Sequence, residues 1–428
     1  MSICRFCSHS LQHTFAAIGM SPIANDYLSQ EQLNCAEKFY PLQTYVCAQC
    51  LLVQLEEFES PDHLFGDGDY AYFSSYSDSW LQHAKTYTEL MIEKFGFNQN
   101  HQVIEIASND GYLLQYFQKQ GIPVLGIEPA ANTAKVAEEK GIKSVVKFFG
   151  VQTAKELVAT GQQADLLLGN NVLAHVPDVN DFVAGMKILL KPNGIFTMEF
   201  PHLLHLIQEN QFDTIYHEHF SYFSFLTVAE IFAAHGLTLF DVEEISTHGG
   251  SLRIYGKHDF AIANISERVN HLRVKEIEAG LDKLETYLTF GEKVKETKRK
   301  LLSFLIDAKS QGKKIVGYGA PAKGNTLLNY CGISTDFIDY TVDRSPYKQG
   351  LFLPGTHIPI LHPDKIRETQ PDYLLILPWN LKEEIMTQMA FILEWGGKFV
   401  VPIPEAQVYG FNLTPNLVAE VAIKKERR

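Results

Sequence analysis

From about residue 102 the chain alternates short apolar runs with amphipathic stretches. Val103-Ile-Glu-Ile-Ala107 is apolar apart from one acid, the polar turn Ser108-Asn-Asp-Gly111 follows, and a helix-spaced stretch runs from Tyr112 to Gln120. Val124-Leu-Gly-Ile-Glu128, Asp165-Leu-Leu-Leu-Gly-Asn-Asn171 and Gly194-Ile-Phe-Thr-Met-Glu-Phe-Pro201 predict three further strands. Short apolar runs separated by helical segments predict a parallel sheet flanked by helices. Between 265 and 313, Leu281, Leu284, Leu288, Leu301, Leu302 and Leu305 recur at helical spacing among Glu and Lys, which predicts amphipathic helices with a solvated charged face. Lys314-Ile-Val-Gly-Tyr-Gly-Ala320 then opens a second alternation, continued by Phe337 to Asp343, Tyr373 to Trp379 and Lys398 to Pro402. The expected fold is α/β: a small amino-terminal lobe over 1–66, a central Rossmann-like domain over 67–264, a helical bridge over 265–313 and a carboxyl-terminal Rossmann-like domain over 314–428.

Composition narrows the function classes. With 428 residues, 46% hydrophobic and 20% charged, the chain is too long for one ordinary domain and too apolar for disorder. Fifty acidic against 37 basic residues give a net charge of -13, which offers no positive field for nucleic acid or an anionic membrane. No apolar run reaches the length of a bilayer span, so a soluble, cytoplasmic protein is expected, monomeric or a small homo-oligomer. Six cysteines are too few for a disulfide scaffold, and four of them form the pairs Cys4-Arg-Phe-Cys7 and Cys47-Ala-Gln-Cys50. Two knuckles of this kind supply the four corners of a closed zinc tetrahedron, a structural site with no open position for chemistry. Reduced thiols or a redox pair are the alternatives, and the second matching pair disfavours both. Cys35 and Cys331 read as ordinary buried residues.

Candidate chemistry lies at the ends of the predicted strands. Glu128 closes the second strand about twenty residues beyond the first turn, where an acid can bind both ribose hydroxyls of an adenosine. Asn170 and Asn171 stand at the carboxyl edge of another strand, ahead of Val172-Leu-Ala-His175. The turn Ser108, Asn109, Asp110, Gly111 has one glycine where dinucleotide folds use several, and the acid Glu105 lies inside the preceding strand. Both favour a ligand without phosphates, S-adenosylmethionine over a nicotinamide cofactor. In the last domain Gly317, Gly319 and Ala322 satisfy Gly-x-Gly-x-x-Ala, which alone would suggest NAD and a dehydrogenase or epimerase, while Lys323 is a point charge suited to any nucleotide diphosphate. Tyr216, His217, Glu218, His219, Ser221 and Tyr222 crowd one short segment. His217 and His219 are two apart, which is not the helical zinc spacing, so the segment reads equally as a packed aromatic loop or a catalytic one. His248-Gly-Gly-Ser-Leu-Arg253 is a glycine turn whose His and Arg rank low as site residues.

Glu105-Ile-Ala-Ser-Asn-Asp-Gly111, Asn170-Asn-Val-Leu-Ala-His175, Tyr216-His-Glu-His-Phe-Ser221 and Tyr72-Phe-Ser-Ser-Tyr-Ser-Asp-Ser-Trp80 resemble the class I S-adenosylmethionine-dependent methyltransferases that carbon-methylate nucleotide-linked deoxysugars. The four amino-terminal cysteines and Gly317-Tyr-Gly-Ala-Pro-Ala-Lys-Gly-Asn325 are similar to that family too, so the likeness spans essentially the whole chain. The commoner methyltransferase turn carries glycines where Ala107 and Asn109 stand, and this variant resembles the sugar branch. Methylating a ring carbon requires a carbanion, which a neighbouring ketone supplies as an enolate. The resemblance therefore implies a nucleotide-linked, dTDP-type, 4-keto deoxysugar with a histidine base tuned near neutral pH. It places that base at His219, gives Glu218 the task of orienting sugar or base, and puts Tyr216 and His175 against the reacting ring or the enolate. It makes Glu105, Ser108, Asn109, Gly111, Glu128, Asn170 and Asn171 the donor site, with Tyr72, Ser74 and Tyr76 as a cap. Lys323 and Asn325 become diphosphate contacts, and Asp343, Arg344 and Lys348 nearby candidates. A non-catalytic zinc-containing binding module is the remaining alternative.

Overall fold

The computed structural model describes residues 2–60, 73–261 and 264–410, and the chain divides into two compact units. The first comprises Met1–His13, Tyr45–Leu204 and Glu218–Tyr287; the second comprises Thr14–Thr44, His205–His217 and the chain from Leu288 onward.

The core of the first unit is a seven-stranded sheet: β1 Val103–Ile106, β2 Val124–Ile127, β3 Ser144–Val145, β4 Ala164–Asn170, β5 Leu190–Pro201, β6 Leu237–Ile245 and β7 Ser251–His258. Their spatial order is β3-β2-β1-β4-β5-β7-β6. Strands β1 to β5 run parallel and β7 is antiparallel to both neighbours. All four residues of β1 are buried, as expected of a parallel strand covered on both faces, and this explains why its sequence is nearly continuous in apolar character. The strand order reverses between β1 and β4, which opens a crevice beyond their carboxyl ends. The helix Asp78–Phe95 starts at Ser77, whose hydroxyl accepts the Trp80 N–H, and ends at Gly96 with φ 71°.

The two cysteine knuckles belong to this same core. Cys4, Leu11, Cys47, Cys50 and Leu52 pack in one apolar cluster with Ile104, Leu167 and Phe223. Asn180, on the helix Val179–Leu189, donates to the carbonyls of Arg5 and Phe6 at 3.0 Å each. The Arg5 guanidinium donates to Pro177 O at 3.1 Å and to Leu55 O.

The second unit is built on β8 Ile315–Tyr318, β9 Thr341–Val342, β10 Ile360–Leu361, β11 Tyr373–Ile376, β12 Lys398–Val401 and β13 Gln407–Tyr409, in the order β10-β9-β8-β11-β12-β13. Every pairing is parallel except that of β13. Of the apolar run Phe337 to Asp343 only Thr341–Val342 joins the ladder, because the Ile338 N–H turns back to Ser334 O at 3.0 Å. The long loop between the cysteine pairs is part of this unit: Phe15 stacks on Phe290 at 4.5 Å, and Glu37 accepts from Gly355 N at 2.7 Å.

Two expectations need correction. Cys35 is exposed, whereas Cys331 is buried as expected. The charged residues of the bridging helices are not all solvated. Glu276, on Glu267–Glu278, is fully buried; it accepts the backbone N–H groups of Phe225 and Leu226 at 2.6 and 2.8 Å and pairs with His202 Nε2 at 2.6 Å. It thereby caps the helix Phe225–Ala234, whose first N–H groups have no partner within the helix. By contrast the helix Phe290–Ser310 buries Leu301 and Leu305 and exposes Glu292, Glu296 and Arg299 in ion pairs, as its spacing predicts. Among the described residues no helix is long and apolar enough to cross a membrane.

Candidate active site and zinc site

Each cysteine pair forms a turn closed by a backbone bond, Ser8 N to Cys4 O at 2.9 Å and Leu51 N to Cys47 O at 3.0 Å, with Ser8 and Leu51 at φ 62° and 57°. The turns bring Cys4 Sγ to 3.5 Å from Cys50 Sγ and Cys7 Sγ to 3.5 Å from Cys47 Sγ, and all four sulfurs lie within 4.8 Å of one another. Zinc with bonds of about 2.3 Å requires sulfurs about 3.8 Å apart, so the set fits the ion. Gln54 Nε2 donates to Cys4 Sγ at 3.2 Å and Gln49 N to Cys47 Sγ at 3.4 Å, which orients the thiolates. Four sulfurs complete the coordination shell, and bound zinc supplies a structural tie and no reactive position.

At the carboxyl edge of the central sheet the turn after β1 is sharply wound: Ala107, Asn109 and Gly111 have φ 57°, 49° and 73°. A Cβ at Gly111 would stand 2.4 Å from the Ile142 side chain, so glycine is required by conformation and by space. Glu128 Oε2 accepts the Asn109 N–H at 2.8 Å and its Oε1 the Ala130 N–H at 2.9 Å. Burial holds its carboxyl above the ordinary range against these bonds. Asn109 Oδ1 accepts Ser74 N at 2.9 Å, so the segment ahead of the long helix is fastened to the turn. Ser74 is buried and Tyr76 exposed, while Tyr72 lies outside the described residues. Ser108 Oγ and both amide atoms of Asn170 are buried without a hydrogen-bond partner among the described residues, which leaves polar groups at this edge that a ligand can satisfy. Glu105 is fully buried, and that burial, reinforced by Glu128, Asp110 and Glu199, raises its carboxyl well above the usual range.

The structure adds a charged group that the strand reading passed over. Glu199, near the end of β5, is fully buried between Arg253 at 2.6 Å and His83 at 2.8 Å, and Arg253 also reaches Glu243 at 2.9 Å. Burial would raise the Glu199 carboxyl, but Arg253 and His83 outweigh it and hold the group below its ordinary value. Trp80 stacks on His83 at 4.8 Å and meets His248 edge-on at 5.1 Å; His248 Nε2 lies 2.8 Å from Asn171 Nδ2. One signal was present: a lone acid and a lone arginine in two apolar runs, which the sheet register sets opposite one another.

The histidine-rich segment divides. Glu218 and His219 belong to the first unit and are buried, His219 being 9% exposed; Tyr216 and His217 belong to the second. The His219 ring stands edge-on to His175 at 4.7 Å and to Tyr222 at 6.1 Å. His175 Nδ1 lies 2.8 Å from Glu218 O. A carbonyl only accepts, so Nδ1 carries the proton and Nε2 keeps its lone pair. Burial pushes His175 down to about 4, which keeps it neutral. His217 points elsewhere, with Nε2 3.2 Å from Pro41 O and its ring edge-on to Tyr40 at 5.9 Å, and burial lowers it to about 4. Among the described residues neither His217 nor His219 belongs to a cluster of metal ligands.

In the second unit Gly319 has φ 89°, and a Cβ there would lie 2.6 Å from Pro378. The backbone of the following residue is already engaged: Asp343 Oδ2 accepts the Ala320 N–H at 2.8 Å, while Tyr27 Oη and Lys348 Nζ donate to Ala320 O at 2.6 and 2.9 Å. Lys323 Nζ donates to Asn380 Oδ1 at 2.9 Å over the Trp379 ring, and burial lowers its pKa against the pull of Asp213. Asn325 is buried with its amide donating to Ala24 O at 2.5 Å, and Arg344 is exposed. The turn thus gathers Asp343, Lys348 and Lys323, while Asn325 faces the segment around Ala24.

Three family models match in sequence along the chain: a zinc binding domain over residues 4–65, a methyltransferase domain over 80–242 and a C-methyltransferase C-terminal domain over 246–404. The C-methyltransferase NovU of Streptomyces niveus is 35% identical over 405 residues, covering 95% of this chain and 96% of its own. A ubiquinone biosynthesis O-methyltransferase of Bordetella avium is 32% identical over 108 residues, 25% of this chain and 45% of its own. One of Rhodopseudomonas palustris is 30% identical over 96 residues, 22% of this chain and 38% of its own. The shorter likenesses cover only a stretch of the chain, whereas that to NovU runs through all three matched regions: the chain belongs to the S-adenosylmethionine-dependent C-methyltransferase family that includes NovU.

Proposed function

We propose that this C-methyltransferase acts on a nucleotide-linked, dTDP-type, 4-keto deoxysugar, methylating the carbon beside the ketone through an enolate formed by His219. The observation that carries the reading is the buried pair of imidazoles. His219 is buried edge-on against His175, a ring held neutral by burial and fixed in one tautomer by its bond to Glu218 O. An unprotonated imidazole can take the proton beside a carbonyl. Tyr216 is assigned to the enolate oxygen as a hydroxyl donor and Glu218 to orienting the sugar. His175, with Nε2 left as an acceptor, is assigned to a sugar hydroxyl.

The sulfonium donor supplies an electrophilic methyl and a neutral leaving group, so the protein's part is positioning. Glu128 is assigned to the ribose, and Ser108, Asn109, Gly111, Asn170, Asn171 and Glu105 to the rest of the donor, with Ser74, Tyr76 and Tyr72 ahead of them. Lys323 and Asn325 are assigned to the diphosphate, with Asp343, Arg344 and Lys348 as nearby candidates. Binding energy from a remote diphosphate can hold a small ring at the reacting carbon. The engagement of the Ala320 N–H by Asp343 supports this reading over an NAD cradle, which needs free backbone N–H groups.

The test is incubation with S-adenosylmethionine and a panel of nucleotide-linked keto sugars, followed by mass spectrometry for one added methylene, with a parallel run in deuterated water. Methylation of a 4-keto sugar and wash-in of deuterium at the adjacent carbon are expected. Transfer to oxygen, or bound reduced nicotinamide, would overturn the assignment.

A further inference from the structure

The segment leading into Tyr216 is tied to the Lys323 turn by groups that the reaction scheme leaves unused. Asp213, in the short helical turn Phe212–Thr214, is fully buried, and its Oδ2 accepts the Trp379 indole N–H at 2.7 Å. The ring of that same Trp379 lies 4.6 Å beneath Lys323 Nζ. Two residues on, the carbonyl of Ile215 accepts from Thr326 Oγ1 at 3.1 Å, and Phe212 meets Tyr330 edge-on at 5.4 Å. Thr326 and Tyr330 lie on the helix Ala322–Cys331, whose first turn carries Lys323. Residues 212, 213 and 215 are therefore fastened to one helix and to the indole beside it. Burial raises Asp213 to about 6 while Lys323 opposes the rise, so a costly carboxyl is retained where an apolar side chain would pack at less expense.

We propose that Asp213 is a positioning residue for the methyl transfer: through the Trp379 indole, and beside Lys323, it sets the path of the chain into Tyr216, so that the diphosphate-side turn and the Tyr216 segment move as one element. The coupling to substrate rests on the reading of Lys323 as a diphosphate contact; the fastening itself does not.

Hydrogen–deuterium exchange of peptides covering 210–217, and turnover at saturating donor, are compared in the full chain for Asp213→Ala, Asp213→Asn and Trp379→Phe. Loss of one hydrogen bond to a charged group predicts roughly tenfold faster exchange and about tenfold lower kcat in Asp213→Ala and Trp379→Phe, with donor Kd unchanged. Asp213→Asn, whose amide oxygen still accepts the indole N–H, should recover most of both losses. Unchanged exchange in both variants overturns the proposal whatever the substrate, and faster exchange with unchanged kcat overturns the positioning role. If the wild-type chain methylates no nucleotide-linked keto sugar, the substrate reading fails on its own, and the exchange measurements alone uphold or overturn the fastening.

Discussion

Glu128 Oε2 accepts the backbone N–H of Asn109 at 2.8 Å, so the acid ending the second strand and the left-handed residue of the first turn form one unit. Asn109 in turn receives Ser74 N, which ties three separate stretches of sequence together at the carboxyl edge of the sheet. Replacing Glu128 by Gln keeps one acceptor and removes the charge. S-adenosylmethionine affinity measured by calorimetry should fall about tenfold or more in Glu128→Gln, and the melting temperature should fall too, because one of the two buried backbone N–H groups then faces an amide N–H. Undiminished affinity would remove Glu128 from the donor site.

Ala107 at φ 57° bears a strain of about 1 kcal/mol that a glycine would not. Glycine's larger loss of chain entropy offsets part of the gain, roughly 0.5–1 kcal/mol. Ala107→Gly should therefore be neutral to slightly stabilising in a denaturant titration, whereas Ala107→Val should cost more than 1 kcal/mol, since a β-branched residue tolerates that region least. A stable Val variant would contradict the strained conformation.

The buried Glu199 carboxylate depends on Arg253 and His83. Arg253→Met removes the permanent positive partner and leaves the buried charge with His83 alone, which should destabilise the fold by about 3–5 kcal/mol. Because the folded pKa of Glu199 lies below its unfolded value, its stabilising contribution is complete above about pH 4.5 and is lost as pH falls through the lowered value. Acid unfolding followed by circular dichroism should thus show a shallower pH dependence below about 4.5 in Glu199→Gln.

His175 and His217, both depressed to about 4, contribute stability of the corresponding kind for a buried neutral base. It is complete above the unfolded value of about 6.5 and is lost as pH drops towards the folded one. His217→Asn should reduce the proton uptake that accompanies unfolding at pH 5. For turnover, His219→Ala should abolish methyl transfer and deuterium wash-in while leaving donor affinity intact; normal rates would remove His219 as the base.

Metal analysis should return about one zinc per chain. Cys47→Ser or chelation should lower thermal stability of the whole first unit, because Cys4, Cys47 and Cys50 share its apolar core and Asn180 grips the first knuckle. A larger effect on kcat than on stability would contradict a structural ion.

Much of this arrangement is legible along the chain because its physics is local. The apolar runs at β1, β2, β4 and β8 mark buried parallel strands, a turn that needs a left-handed residue shows as Gly111 or Gly319, and two thiols three residues apart form a knuckle wherever they stand. Residue order thus marks two α/β sheets, four clustered cysteines and the strand ends where the candidate site residues stand. What it does not contain is which distant side chains meet. That Glu276 caps a helix fifty residues upstream, that Glu199 faces Arg253, that His219 turns to His175 while His217 turns to Pro41, and that the loop between the cysteine pairs packs in the second unit are all settled by folding. A buried charge or lone pair must find its partner across the fold, and only the packed chain decides which one lies within reach.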